Sequence, residues 1–135
     1  MNIQEPESIR VSLVDGDATV RHARQIMLRS ENYDVRAYAT CAALLADPGS
    51  RDYACIVADV SMQGISGIDM LREMRATGWR GKGILLDDAD SNGAVAREAE
   101  RHGDKVMASN IGDRSLTAAI AATVDRGWSS WTAAG

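Results

Sequence analysis

An apolar run, Cys55-Ile56-Val57-Ala58, stops abruptly on a carboxylate, Asp59. Two glycines three apart, Gly64 and Gly67, lie in the loop that follows, and an amphipathic segment from Ile68 to Met74 comes next. A short apolar run bounded by turn residues reads as a buried strand. Here it delivers an aspartate to its carboxyl end, where open α/β sheets place ligands and chemistry. The plainer reading of an isolated strand-terminal Asp is a turn cap, so the rest of the chain decides between the two.

In chain order, residues 1–8 are polar, contain Pro6 and are expected to form a loose tail. Ile9 to Val14 is a first strand, ending at Asp15-Gly16-Asp17. Helix one is predicted from Ala18 to Ser30, with Asp17 as its N-cap and Val20, Ala23 and Met27 on its apolar face. Asp34 to Tyr38 is a second strand, and Thr40 caps a small helix, Cys41 to Ala46, stopped by Asp47-Pro48-Gly49. Tyr53 to Ala58 is strand three. Helix three spans about Ile68 to Thr77, burying Ile68, Leu71 and Met74, and Gly78 ends it.

Gly83 to Leu86 is strand four, followed by the acidic pair Asp87-Asp88. Helix four begins at Asp90 or Ser91 and closes at Gly103, and Lys105 to Ala108 is strand five. Helix five runs from about Arg114 to Asp125, burying Leu116, Ile120 and Val124, with Gly127 past its end. Five strands alternating with five helices through short connections argue for a doubly wound parallel sheet with helices on both faces. The ends of strands one, three, four and five then share one rim, which gathers Asp15, Asp17, Asp59, Asp87 and Asp88. Carboxylates crowded on one rim repel unless a cation joins them, and hard oxygen ligands with an open face suit Mg²⁺. That convergence favours a functional Asp59 over a cap.

The chain has 135 residues, of which 45% are hydrophobic, enough for one compact domain and little more. Its net charge of −4 supplies no broad phosphate-binding face, which argues against direct nucleic-acid binding. Cys41 and Cys55 sit in apolar segments without metal spacing and read as reduced core residues. No signal pattern opens the chain and no apolar run approaches the ~20 residues that span a bilayer. A soluble, cytoplasmic protein is the expectation.

From Ile9 to about Gly127 the chain resembles the receiver (phospho-acceptor) domain of bacterial two-component response regulators. Asp59-Val60-Ser61-Met62-Gln63-Gly64-Ile65-Ser66-Gly67 is close to that family's D-x-x-M-P-G-x-x-G, and the number and order of elements agree. The resemblance implies a flavodoxin-like (βα)5 fold over residues 9–127, with 128–135 a tail or the start of a linker. It implies that Asp59 accepts a phosphoryl group from a histidine kinase or phosphotransfer protein. It also implies a Mg²⁺ ion held by Asp15, Asp59, the Ser61 backbone carbonyl and, optionally, Asp17. Output then passes through the helix four, strand five, helix five face to a partner or a second copy. A carboxylate is a competent nucleophile towards phosphorus when a metal offsets the phosphoryl charge. Any chemistry would be limited to self-phosphorylation and self-dephosphorylation.

The departures from the family pattern lie around Asp59. Family members carry two adjacent acids after strand one, whereas this chain has Asp15-Gly16, so a direct metal ligand is glycine. The phosphoryl-contacting Thr or Ser after strand four is replaced by Asp88, with Ala89 next, or by Asp87 if the register slips by one. Asn110-Ile111 stands for Lys-Pro, Met107 for the aromatic switch residue, and Gln63 for proline. A lost lysine and an added aspartate are each worth on the order of 4 kcal/mol at contact distance and an effective dielectric near 20. A degenerate receiver with weak Mg²⁺ binding and weak or absent phosphorylation follows, unless Asp88 replaces the missing ligand.

Leu13-Val14-Asp15-Gly16-Asp17-Ala18-Thr19 also matches the D-x-D-x-T strand end of haloacid-dehalogenase-like phosphatases, with Asp15 as nucleophile and Asp17 as acid/base. That alternative leaves the loop after Asp59 unexplained and has no well-placed lysine. A third reading is an interaction module with vestigial acids. His22 and His102 read as ordinary solvated residues, and Trp128 and Trp131 mark the C-terminal segment as a candidate partner or dimer surface.

Overall fold

The computed structural model describes residues 9–59, 66–87 and 93–134, with the backbone alone described at 93–95 and 125–134. Five strands, β1 (Arg10–Val14), β2 (Asp34–Tyr38), β3 (Cys55–Asp59), β4 (Lys82–Asp87) and β5 (Lys105–Ala108), form one sheet in the order β2-β1-β3-β4-β5. All pairings are parallel. The helices are α1 (Ala18–Ser30), α2 (Cys41–Ala46), α3 (Gly67–Ala76), α4 (Gly93–Arg101) and α5 (Asp113–Ala134), with a short 3₁₀ turn at Pro48–Asp52. This is the doubly wound parallel sheet that the alternation of elements predicts, in the flavodoxin-like order that the resemblance implies.

Period-two alternation in the strands builds two cores. Val11, Leu13, Val57, Ile84 and Leu86 face the α1/α5 side, where they meet Leu28, Leu116, Ile120 and Val124. Val14, Ile56, Ala58 and Leu85 face Cys41, Leu44, Met70, Leu71, Met74 and Trp79 on the α2/α3 side. Strands buried on both faces read as continuous apolar runs, as the parallel sheet requires.

Three local expectations are corrected. Of the predicted inward face of α1 only Met27 packs against the core: Val20 is 36% exposed and Ala23 is exposed, while Leu28 is fully buried and Arg24 partly so. The first turns of α1 overhang the polar end of the sheet, and only its last turns reach the apolar core. In α3, Met70 joins Leu71 and Met74 in the core, and Ile68 is only partly buried. The third correction concerns α5, which continues through Gly127 to Ala134. An interior glycine costs about 1 kcal/mol against alanine without breaking a helix. Gly78 and Gly103, which do follow helix ends, take left-handed φ of 100° and 77°. The predicted tail at residues 1–8 lies outside the described residues.

Candidate functional site

The carboxyl ends of β1 and β3 bring Asp15 and Asp59 together. Val14 pairs with Ala58, so Asp15 and Asp59 each follow directly on a paired residue at the carboxyl ends of neighbouring strands. Asp59 is half-buried and opposite Leu86, and the final residue of β4, Asp87, is opposite Ala108 at the end of β5. The rim inferred from chain order is thus built from four neighbouring strands. Asp88, Ala89 and Ser61, three of the predicted pocket residues, lie outside the described residues.

Asp15 is 3% exposed, and both of its carboxylate oxygens are engaged. Oδ1 accepts the backbone N–H of Asp17 at 2.9 Å, and Oδ2 accepts Nη1 of Arg24 at 2.9 Å. The Asp15 carbonyl accepts Nη1 of Arg21 at 2.8 Å, and its N–H donates to the Tyr38 carbonyl at 3.1 Å. Arg24 has a second partner: its Nη2 donates to the carbonyl of Ser109, in the turn after β5, at 2.8 Å. One guanidinium from α1 therefore ties the end of β1 to the end of β5, strands separated in the sheet by β3 and β4.

Asp17 acts as the N-cap the sequence predicts. Its Oδ1 accepts from the N–H groups of Thr19 (2.9 Å) and Val20 (3.1 Å), which turns that oxygen to the helix terminus. Asn110 is exposed in the turn after β5, closed by the Ile111 N–H donating to the Ala108 carbonyl at 3.1 Å. Met107, at the expected switch position, packs against the α1/α5-side core.

A divalent hard cation needs several oxygen ligands free to turn toward it. Gly16 supplies no side chain, Oδ2 of Asp15 holds an arginine, and Oδ1 of Asp17 caps α1. Among the described residues no group of three or more His, Cys, Asp or Glu side chains is placed to hold a metal ion. The described part of the rim does not fit Mg²⁺; it fits a guanidinium.

Sequence reading missed Arg21 and Arg24. Arg21, Arg24 and Leu28 follow helical spacing and share one face of α1. Arginines in the first turns of a helix oppose the macrodipole, and that unfavourable placement was the available signal that an acid lies opposite.

A family model described as the response regulator receiver domain matches residues 11–121. The chain belongs to that family. The receiver domain's relatives include the transcriptional regulatory protein FixJ of Azorhizobium caulinodans, 31% identical over 90% of this chain and 57% of that protein. A shorter match to the FixJ of Bradyrhizobium diazoefficiens, 30% identical, covers 49% of this chain and 32% of that protein. The matches thus span 57% and 32% of the length of these two curated relatives. Among solved structures, a signal receiver domain from Vibrio parahaemolyticus superposes with a TM-score of 0.83 at 18% identity, covering 95% of this chain and 98% of the other. The structure of FixJ-N gives 0.74 at 22% identity, covering 91% and 96%.

The receiver domain is a module of two-component signal transduction, and receivers as a family meet histidine kinases or phosphotransfer proteins and use Mg²⁺ at the phosphorylation site. The haloacid-dehalogenase-like alternative finds no support. Family match and fold are those of receivers, and the would-be nucleophile Asp15 is held by Arg24 and the Asp17 N–H.

Proposed function

We propose that this chain is a receiver with its acceptor aspartate, Asp59, in place and its pocket set for weak phosphorylation or none, so that it signals mainly through protein contacts. The observation that carries this reading is the engagement of both Asp15 oxygens by Arg24 and the Asp17 N–H. Phosphoryl transfer to a carboxylate is catalysed almost entirely by positioning and charge stabilisation. Here Gly16 removes a metal ligand, Asn110 a cation, and Asp88 stands where a hydroxyl is expected. Any Mg²⁺ would bind weakly, through Asp15, Asp59 and the Ser61 carbonyl, with Asp17 Oδ1 already turned to its cap.

The upstream partner is a histidine kinase or phosphotransfer protein that docks on the rim, and the setting is the cytoplasm. The names of the FixJ relatives favour a transcriptional output, reached through α4, β5 and α5 by a partner or a second copy. Intact-mass spectrometry after incubation with acetyl phosphate and Mg²⁺ tests the reading. Little or no phosphoryl adduct is expected; efficient modification lost in Asp59→Ala would overturn it.

A further inference from the structure

We infer that Arg24 is the rim's resident cation: it stands in for a divalent metal at Asp15, and a metal reaches that carboxylate only by displacing it. The inference rests on the receiver reading of the rim and adds a named residue to it. Three observations converge. Arg24 is held at both ends, by Asp15 Oδ2 and by the Ser109 carbonyl, and its side chain is only 12% exposed. A surface arginine gains little from one carboxylate, whereas a nearly buried pair excludes the water that would screen it. Arg21, one turn earlier on the same face, holds the Asp15 carbonyl and so fixes the backbone under the carboxylate.

The third observation is Gly16. A rim with one strongly buried acid after β1 needs one positive charge, and a guanidinium supplies it. A rim with two adjacent acids would need a divalent ion. Gly16 and Arg24 are therefore matching changes: the first removes one acid of the usual pair after β1, and the second neutralises the one left there, Asp15. A purely structural ion pair would predict only a loss of stability when Arg24 is removed. A resident cation predicts, in addition, that its removal strengthens metal binding.

The experiment uses Mn²⁺ alone as probe, followed by the paramagnetic resonance of the free ion, on the full chain. The wild type is expected to bind Mn²⁺ only weakly. Arg24→Gln should bind it with affinity raised by about tenfold or more, and the double variant Asp15→Asn with Arg24→Gln should lose that gain again. Wild-type binding as tight as that of a folded Arg24→Gln variant, or no gain in that variant, overturns the inference. Should Arg24→Gln fail to fold, the wild type answers instead. Its Arg24 Nε–H resonance should move whenever the Asp17 amide beside Asp15 moves as Mg²⁺ is added, because the metal must displace Arg24 to reach that carboxylate; an Asp17 amide that shifts while Arg24 stays fixed would overturn the proposal. A phosphoryl adduct on Asp59 formed equally with and without Mg²⁺ would defeat the weak-acceptor reading and leave Arg24's role standing.

Discussion

Asp104 sits at the opposite end of the sheet from Asp15, its side chain 1% exposed. Arg75 grips it with Nη1 at 2.8 Å and Nη2 at 2.7 Å, and Oδ1 also accepts the Gly83 N–H at 2.7 Å. Arg75 in turn lies over the Trp79 ring, 5.3 Å from its centroid. Breaking a buried pair from one side leaves an uncompensated charge, at a cost of about 3–5 kcal/mol. Arg75→Met should therefore lower the urea-unfolding free energy by that amount, and adding Asp104→Leu should recover most of it. Failure of the double variant to recover would mean that Asp104 acts through the Gly83 N–H rather than through charge. The thiols make a second residue-scale case. Burial pushes Cys41 up to about 11 and Cys55 up to about 12, the latter helped by the charge of Asp104. Because the thiolate is the reactive form, both should resist iodoacetamide at neutral pH until the chain unfolds. Their folded values are raised, so the stability they confer is complete below the ordinary thiol value and declines as pH climbs towards about 11 and 12. Rapid labelling of the native protein, read by mass spectrometry, would contradict the burial described.

At the scale of elements, the strands and the capped helices were legible because their signals are local. Asp17 and Thr40 cap α1 and α2 through their own side chains as their sequence positions predict, Ser66 caps α3 in the same way without having been singled out, and apolar runs mark β1, β3 and β4. What was not legible depends on tertiary neighbours. The inward face of α1 carries Arg24 because an acid waits opposite, a pairing nine residues apart in sequence that hydrophobic periodicity does not encode. Likewise Gly81, unremarkable in sequence, lies before β4 where the chain passes close to Ala54 and Trp79. A Cβ there would meet the Ala54 carbonyl oxygen at 2.5 Å and the Trp79 ring at 2.4 Å. The Trp79 indole is itself fixed by donating to the Tyr53 carbonyl at 2.7 Å, so neither neighbour yields easily. Gly81→Ala should cost about 1–3 kcal/mol by overpacking, measurable as a lowered thermal midpoint with the fold retained by circular dichroism. An unchanged midpoint would show that the Trp79 end of β4 relaxes freely.

For the whole molecule, the contact with most reach is the one Arg24 makes across the sheet. The sequence placed Asp59 and Asp15 on one rim, since strand order alone requires it, yet it gave no hint that α1 would join that rim to the β5–α5 turn. Asp15 holds Nη1 and the Ser109 carbonyl holds Nη2 of the same guanidinium, so the two anchors are coupled through one rigid, planar group. Removing the charge of Asp15 frees Arg24 to leave Ser109 as well. Hydrogen bonds to charged groups are worth about 1.5–3 kcal/mol, and local opening of a turn is governed by increments of that size. Asp15→Asn should therefore speed amide exchange in the segment Ala108–Gly112 roughly tenfold or more, including at Ile111, whose N–H closes the turn. Exchange around Gly83, anchored by Asp104 at the far end of the sheet, should stay as it was. Hydrogen exchange read by mass spectrometry separates the outcomes. A rise confined to β1 would show that rim and turn are independent. A rise that reaches the turn would show that the state of the acidic rim is transmitted to β5 and α5 through Arg24.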